Sequence, residues 1–176
     1  MLIEIKNWKT KKVIFSYDCE NNTIKKTVEE AVKRGVSLYR ADLRNADLRK
    51  ANLSSADLCG AKLSHACLGC ADLRKANLSY ADLIFADLCG ANLIYADICG
   101  ADLYDANLHK ANLGNVCLID ADLSKANLSD ANLKYADLSK ANLSFANLSD
   151  ANLKDADLNK ANLKCADFSG VDLSIG

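Results

Sequence analysis

The chain has 176 residues, half of them apolar, with no proline, eight cysteines and a formal net charge of −1. That apolar share excludes intrinsic disorder, and no apolar run approaches the roughly 18 residues of a membrane-spanning helix. Near-neutrality argues against bulk electrostatic binding to nucleic acid or to an anionic membrane. Met1 to Lys12 is charged at close intervals and has no apolar core of a signal peptide, so a cytoplasmic protein is expected. In that compartment the cysteines read as thiols rather than as a disulfide framework.

Residues 1–35 read as an N-terminal cap. Leu2 to Lys6 and Lys12 to Tyr17 alternate apolar and polar side chains (Ile3, Ile5; Val13, Phe15) and predict a β-hairpin across an Asn7–Lys11 turn. Thr23 to Arg34 predicts a helix. Asn22 or Thr23 can cap it, Ile24, Val28, Ala31 and Val32 form one face, and Gly35 marks the exit.

From Val36 the chain runs in blocks of five without a slip, 28 of them, to Ile175. The third position is Leu in all but Ile98 and Phe168. The first is Ala in all but Val36, Val116 and Val171. The second is Asp in 13 blocks and Asn in 11, and the fourth and fifth vary freely. Apolar residues at this spacing spread around a helical wheel, and a strand's alternation breaks at every fifth residue. The pattern therefore predicts a short extended piece followed by a turn, with Ala and Leu inward and Asp or Asn outward. If each turn is near a right angle, four blocks close a 20-residue coil, and coils stack at about 4.8 Å as an all-β solenoid. Seven such coils make a rod roughly 34 Å long over residues 36–176. The apolar face of the helix is expected to lie over the first coil. Proline would remove a donor from the coil-to-coil pairing, which accounts for its absence.

The A-(D/N)-L-x-x block resembles that of the pentapeptide-repeat family over residues 36 to 175. The resemblance implies a right-handed quadrilateral β-helix with Leu and the preceding Ala inside. A hairpin-plus-helix start is similar to that of some members.

Residues twenty apart stack on one side, so surface columns can be read from the sequence. Cys67, Cys70, Cys89 and His109 fall on one side as candidate metal ligands, but Cys67 and His109 lie two coils apart, near 10 Å, too far for one ion without distortion. A Cys70–Cys89 disulfide is geometrically conceivable but disfavoured by the compartment, and Cys59 and Cys99 are two coils apart. No cofactor is expected. His65 and His109 lie on different sides, and neither reads as part of a nucleophile–base–carboxylate set in a cleft, so no catalysis is expected.

Residues 76–115 carry five Asp and one basic residue, Lys110, with Tyr80, Ile84, Phe85, Ile94, Tyr95 and Tyr104 at outward positions. Asp82, Ile84, Phe85, Asp102, Tyr104 and Asp105 share one side and form the candidate surface for a protein partner, against the alternative of an aromatic ladder that only stabilises the sheet. The last coil carries Phe168, Val171, Leu173 and Ile175 and reads as a bare end that pairs with its copy in a two-fold homodimer. Phe168 plugging the end of a monomer is the other reading.

Charge is graded along the chain. Residues 1–35 carry eight basic and five acidic groups, residues 36–75 seven and four, and residues 76–176 seven and fourteen. The functional expectation is a non-enzymatic scaffold or interaction rod. The resemblance also implies a second possibility, imitation of duplex DNA toward DNA gyrase or topoisomerase IV. Duplex DNA of this length carries about 20 negative charges. The repeat region offers 18 acidic against 14 basic residues, which is dilute by comparison. The third possibility is a cysteine-based metal-binding rod.

Overall fold

A computed structural model of the chain describes residues 1–171. Leu2–Lys6 (β1) and Val13–Asp18 (β2) pair antiparallel, with Ile3 opposite Tyr17 and Ile5 opposite Phe15. The Asn7 side chain closes the hairpin by accepting the Lys9 and Thr10 N–H groups, each at 3.0 Å.

Ile24–Lys33 forms the helix α1. Of the two candidate caps, Thr23 is the one used, accepting the Lys26 N–H at 3.2 Å. Asn22 is buried instead and donates to the Met1 and Tyr17 carbonyls, tying the helix start to the hairpin. At the exit Gly35 takes φ +68°. Its N–H reaches Val32 O and the Val36 N–H reaches Ala31 O, the paired bonds of a Schellman motif.

The predicted helix face packs as expected. Val28 and Ala31 are buried and Ile24 and Val32 partly so, in the same core as Ile5 and the repeat leucines. The hairpin also continues the pairing of the first coil. The Asp42 N–H donates to Lys6 O, the Trp8 N–H to Arg40 O, and Trp8 Nε1 to Gly60 O.

Beyond the helix the chain is a repeat β-helix solenoid. Parallel bridges join residues twenty apart, from Asp42 with Lys62 to Asn147 with Asp167, so four blocks complete one turn of the solenoid. Leu, Ala and Ile98 fill the interior.

The backbone of one block shows why the motif has its letters. Ala101 N–H donates to Ile98 O across the turn, Asp102 N–H to Ala81 O in the preceding coil, and Leu103 and Asp105 N–H to Asp122 and Ser124 O in the next. That leaves the Tyr104 N–H, which is taken by the block's own Asp102 Oδ1 at 3.0 Å. Five residues thus place five donors.

The fourth-position N–H is a requirement that Asp or Asn two residues earlier meets. This cap recurs in every described block with Asp or Asn at the second position except that of Asp42, whose carboxylate is held by the Arg44 side chain. Asn adds a donor that Asp lacks and uses it between coils, as in Asn107 Nδ2 to Asp87 Oδ1 (2.9 Å) and Asn162 Nδ2 to Asn142 Oδ1 (2.9 Å).

The fifth position is not free, contrary to the sequence expectation. Each described fifth-position residue from Arg40 to Gly170 has positive φ, 55° to 73°, because it is the third residue of the turn. A β-branched side chain is strained in that conformation, and none occurs there from Arg40 to Gly170. Lys140 has φ 60°. Lys140→Val is expected to lower stability by about 1–2 kcal/mol, and Lys140→Gly to leave it equal to or above the parent. Urea unfolding of both variants checks the order, and a Val variant as stable as the Gly variant contradicts it.

Candidate functional site

The proposed partner surface is built on the side formed by blocks 61–65, 81–85, 101–105 and 121–125. The turn conformation, with φ 57° at Phe85, turns the ring outward, and Phe85 is 45% exposed. It is nonetheless ordered by its neighbours. Its ring stacks on His65 at 5.0 Å and meets Tyr104 edge-on at 5.7 Å. Tyr104 is half-buried and receives Lys125, whose Nζ donates to the hydroxyl at 2.7 Å and lies 5.0 Å from the ring centre. That hydrogen bond raises the Lys125 ammonium above its ordinary pKa.

Beside this ladder Asp82, Asp102 and Asp122 stack in three successive coils. Lys62 Nζ holds Asp82 at 2.9 Å and Asn142 Nδ2 holds Asp122 at 3.1 Å. Asp102 stands between them, its Oδ1 accepting the Tyr104 N–H. Ile84 is half-buried and Asp105 exposed on the same side.

The remaining aromatics of the belt do not join this surface. Tyr80, 73% exposed, lies flat on Gly100, where an added Cβ would come within 2.7 Å of its ring. It belongs to the adjoining side, and Tyr95 to the side opposite the partner surface.

The cysteine–histidine set does not converge. His109 Nδ1 faces the following coil, 2.8 Å from Ser129 Oγ, 3.1 Å from Ser129 O and 3.6 Å from Asp130, whereas Cys89 lies in the preceding coil. All three partners meet the same ring nitrogen, so no relay from a nucleophile through the imidazole to a carboxylate is formed. Ser129 Oγ is itself committed to Asn127 Oδ1 at 2.7 Å. Cys70 N–H donates to Cys89 O, and the Cys70 sulfur lies above Gly90.

The cysteines that do meet are others. Cys99 and Cys117 form a disulfide, with Cα atoms 5.8 Å apart, which corrects the reading of all eight as thiols. Cys99 occupies a fourth position and Cys117 a second position one coil on. A search of equivalent positions twenty residues apart misses that diagonal. Cys19, Cys59, Cys67, Cys70, Cys89 and Cys165 are free thiols.

The basic end is organised by short-range forks: Arg44 on Asp42, Arg49 on Asp47 and Arg74 on Asp72, each with N–O contacts of 2.6 Å. The Arg49 guanidinium holds Asp47 down to about 2, and Asp42 and Asp72 are lowered by their own arginines. At the other end Leu158, Phe168 and Val171 are half-buried and Leu163 is 36% exposed. Among the described residues, the Leu158, Leu163 and Phe168 N–H groups have no following coil to pair with. Leu173 and Ile175 lie outside the described residues.

No curated protein matches the sequence. Among solved structures, the chain is similar to the pentapeptide repeat protein Rfr23 from the cyanobacterium Cyanothece 51142, at 38% identity over 55% of this chain and 63% of that one, with a TM-score of 0.37. It is also similar to HetL, a pentapeptide repeat protein involved in heterocyst differentiation regulation from the cyanobacterium Nostoc sp. strain PCC 7120. There the identity is 36% over 77% of this chain and 73% of that one, with a TM-score of 0.30. A third is alr5209 from Nostoc PCC 7120, at 31% identity over 71% and 80%, with a TM-score of 0.43. The chain thus spans less than two thirds of the length of Rfr23. The family model described as pentapeptide repeats matches residues 37–74, 66–105, 106–144 and 136–174. With that match over most of its length, and a five-residue lattice in which each letter has a structural task, the chain belongs to the pentapeptide-repeat family.

Proposed function

We propose that the protein is a non-enzymatic interaction rod, with residues 1–35 as a cap and 36–176 as a right-handed, four-sided β-helix of about seven coils. It engages a protein partner in the cytoplasm through the side bearing Asp82, Ile84, Phe85, Asp102, Tyr104 and Asp105. The observation that carries this reading is Phe85, an apolar ring left half open to solvent yet held between His65 and Tyr104 beside the Asp82–Asp102 column. A fixed aromatic beside Asp102, a carboxylate with no ion-pair partner among the described residues, suits an apolar and basic partner surface, because little side-chain freedom is lost on binding. Neither nucleic acid nor a membrane is a partner in this reading, and it needs no cofactor.

The test is affinity capture from the native cell lysate with the parent and with a Phe85→Ser/Tyr104→Ser double variant of unchanged melting temperature. Loss of the captured protein in the variant is expected. An unchanged set of captured proteins overturns the assignment of this side.

A second reading concerns oligomeric state, and the apolar surface of the last described coil favours it. Exposed Leu163 and half-buried Phe168 and Val171 suit pairing with a second copy through Phe168, Val171, Leu173 and Ile175. On this reading light scattering gives twice the 19.0 kDa chain mass, and a single-chain mass removes it.

A further inference from the structure

We propose that Asp97, Cys99 and Cys117, once the disulfide is reduced, bind a thiophilic divalent cation of the zinc class. One ligand atom from each of the three lies within 4.8 Å of the others. Zinc takes Cys sulfur at about 2.3 Å and carboxylate oxygen at about 2.0–2.2 Å, so modest side-chain rotations bring this donor set onto one ion.

The backbone beneath is fixed. Asp97 and Cys117 are bridge partners in adjacent coils, the Ile98 N–H donates to Cys117 O at 2.8 Å, and the Cys117 N–H to Ala96 O at 3.0 Å. The Cys99 N–H donates to Asp97 Oδ1 at 3.0 Å, which orients the carboxylate. Both cysteines are half-buried and Asp97 is exposed, so water can fill the fourth coordination position. Two thiolates with one carboxylate select a borderline-soft ion over magnesium or calcium.

Cys117 also departs from the lattice. It stands where the block requires Asp or Asn, and the Ile119 N–H goes without the usual cap.

The chemistry balances without a further redox partner beyond a small thiol. Two equivalents of that thiol reduce the disulfide by exchange, giving two protein thiols and one small-molecule disulfide. Entry of the cation then breaks two S–H bonds, forms two metal–sulfur bonds and releases two protons to water.

The experiment uses the full chain with Cys19, Cys59, Cys67, Cys70, Cys89 and Cys165 changed to Ser, reduced anaerobically with a phosphine, freed of it and titrated with Co²⁺. A sulfur-to-cobalt charge-transfer band saturating at one ion per chain is expected, bleached by Zn²⁺ and absent from the oxidised protein. Asp97→Ala should weaken binding at least tenfold, and Cys117→Ser should abolish the band. No band, or one that survives Cys117→Ser, overturns the proposal. If the six-fold variant fails to fold, the otherwise unaltered reduced chain decides: Cys99→Ser should remove one equivalent of Co²⁺ and Cys89→Ser none, and the reverse pattern overturns it.

Discussion

Replacing Leu103 by Ala is expected to lower the unfolding free energy by about 2–5 kcal/mol. Leu163→Ala, the same change at an exposed leucine, should cost less than about 1 kcal/mol. Leu103 is fully buried, with Leu83 and Leu123 buried in the coils on either side. Those coils are held apart by the hydrogen-bonded ladder, with Leu103 N–H on Asp122 O at 2.7 Å and Asp102 N–H on Ala81 O at 3.0 Å. They cannot close over the missing methyl groups, so the cavity persists. Leu163 is 36% exposed and loses less when shortened. Urea unfolding of both variants measures the contrast. Small, equal losses contradict this packing. Large, equal losses mean that the end is covered in solution, as pairing of two copies requires.

Asn127→Pro is expected to cost more than about 3 kcal/mol, and Asn127→Ala only about 1–2 kcal/mol. The Asn127 N–H donates to Ala106 O at 2.9 Å. Its side chain caps the Ser129 N–H at 3.1 Å and donates to Asn107 Oδ1 at 3.3 Å. Alanine removes the side-chain bonds and keeps the ladder. Proline removes both and leaves Ala106 O without its donor inside the coil stack. Thermal melts of the two variants separate the contributions, and equal shifts contradict the role assigned to the ladder.

Much of the interior was legible in the letters. Leu43 to Leu153 at third positions and Ala41 to Ala151 at first positions are buried as the period of five requires. Ile98 takes the place of Leu without exposure. The role of the second position was not legible, because an outward Asp looks like a solubilising residue until the orphan N–H two residues later is counted. A signal was present at the fifth position, where Val, Ile and Thr are missing from Arg40 to Gly170 while Ile84, Ile94 and Ile119 occur at the fourth.

The surface contacts were hidden for a geometric reason. Third- and fifth-position N–H groups reach O of residue n+19 in the next coil rather than n+20, and surface neighbours can likewise be 18 or 19 residues apart. Phe85 therefore meets Tyr104, and Cys99 meets Cys117, while the twenty-residue columns Phe85–Asp105 and Cys99–Ile119 suggest neither. The Cys67–Cys70–Cys89–His109 set failed on direction, since His109 turns to Ser129.

Amide hydrogen exchange tests most directly the claim that the neighbouring coils and the second-position side chain together satisfy the backbone donors of each block, on which the sides of the rod and everything placed on them depend. Leu83, Leu103 and Leu123 N–H are expected to exchange only through global unfolding. Cys89 and Ser129 N–H, capped by Asp87 and Asn127, should be protected well above Gly69 and Ile119 N–H, whose blocks carry Cys67 and Cys117 in place of the capping residue. Equal exchange at capped and uncapped fourth positions, or fast exchange at the central leucines, contradicts that claim.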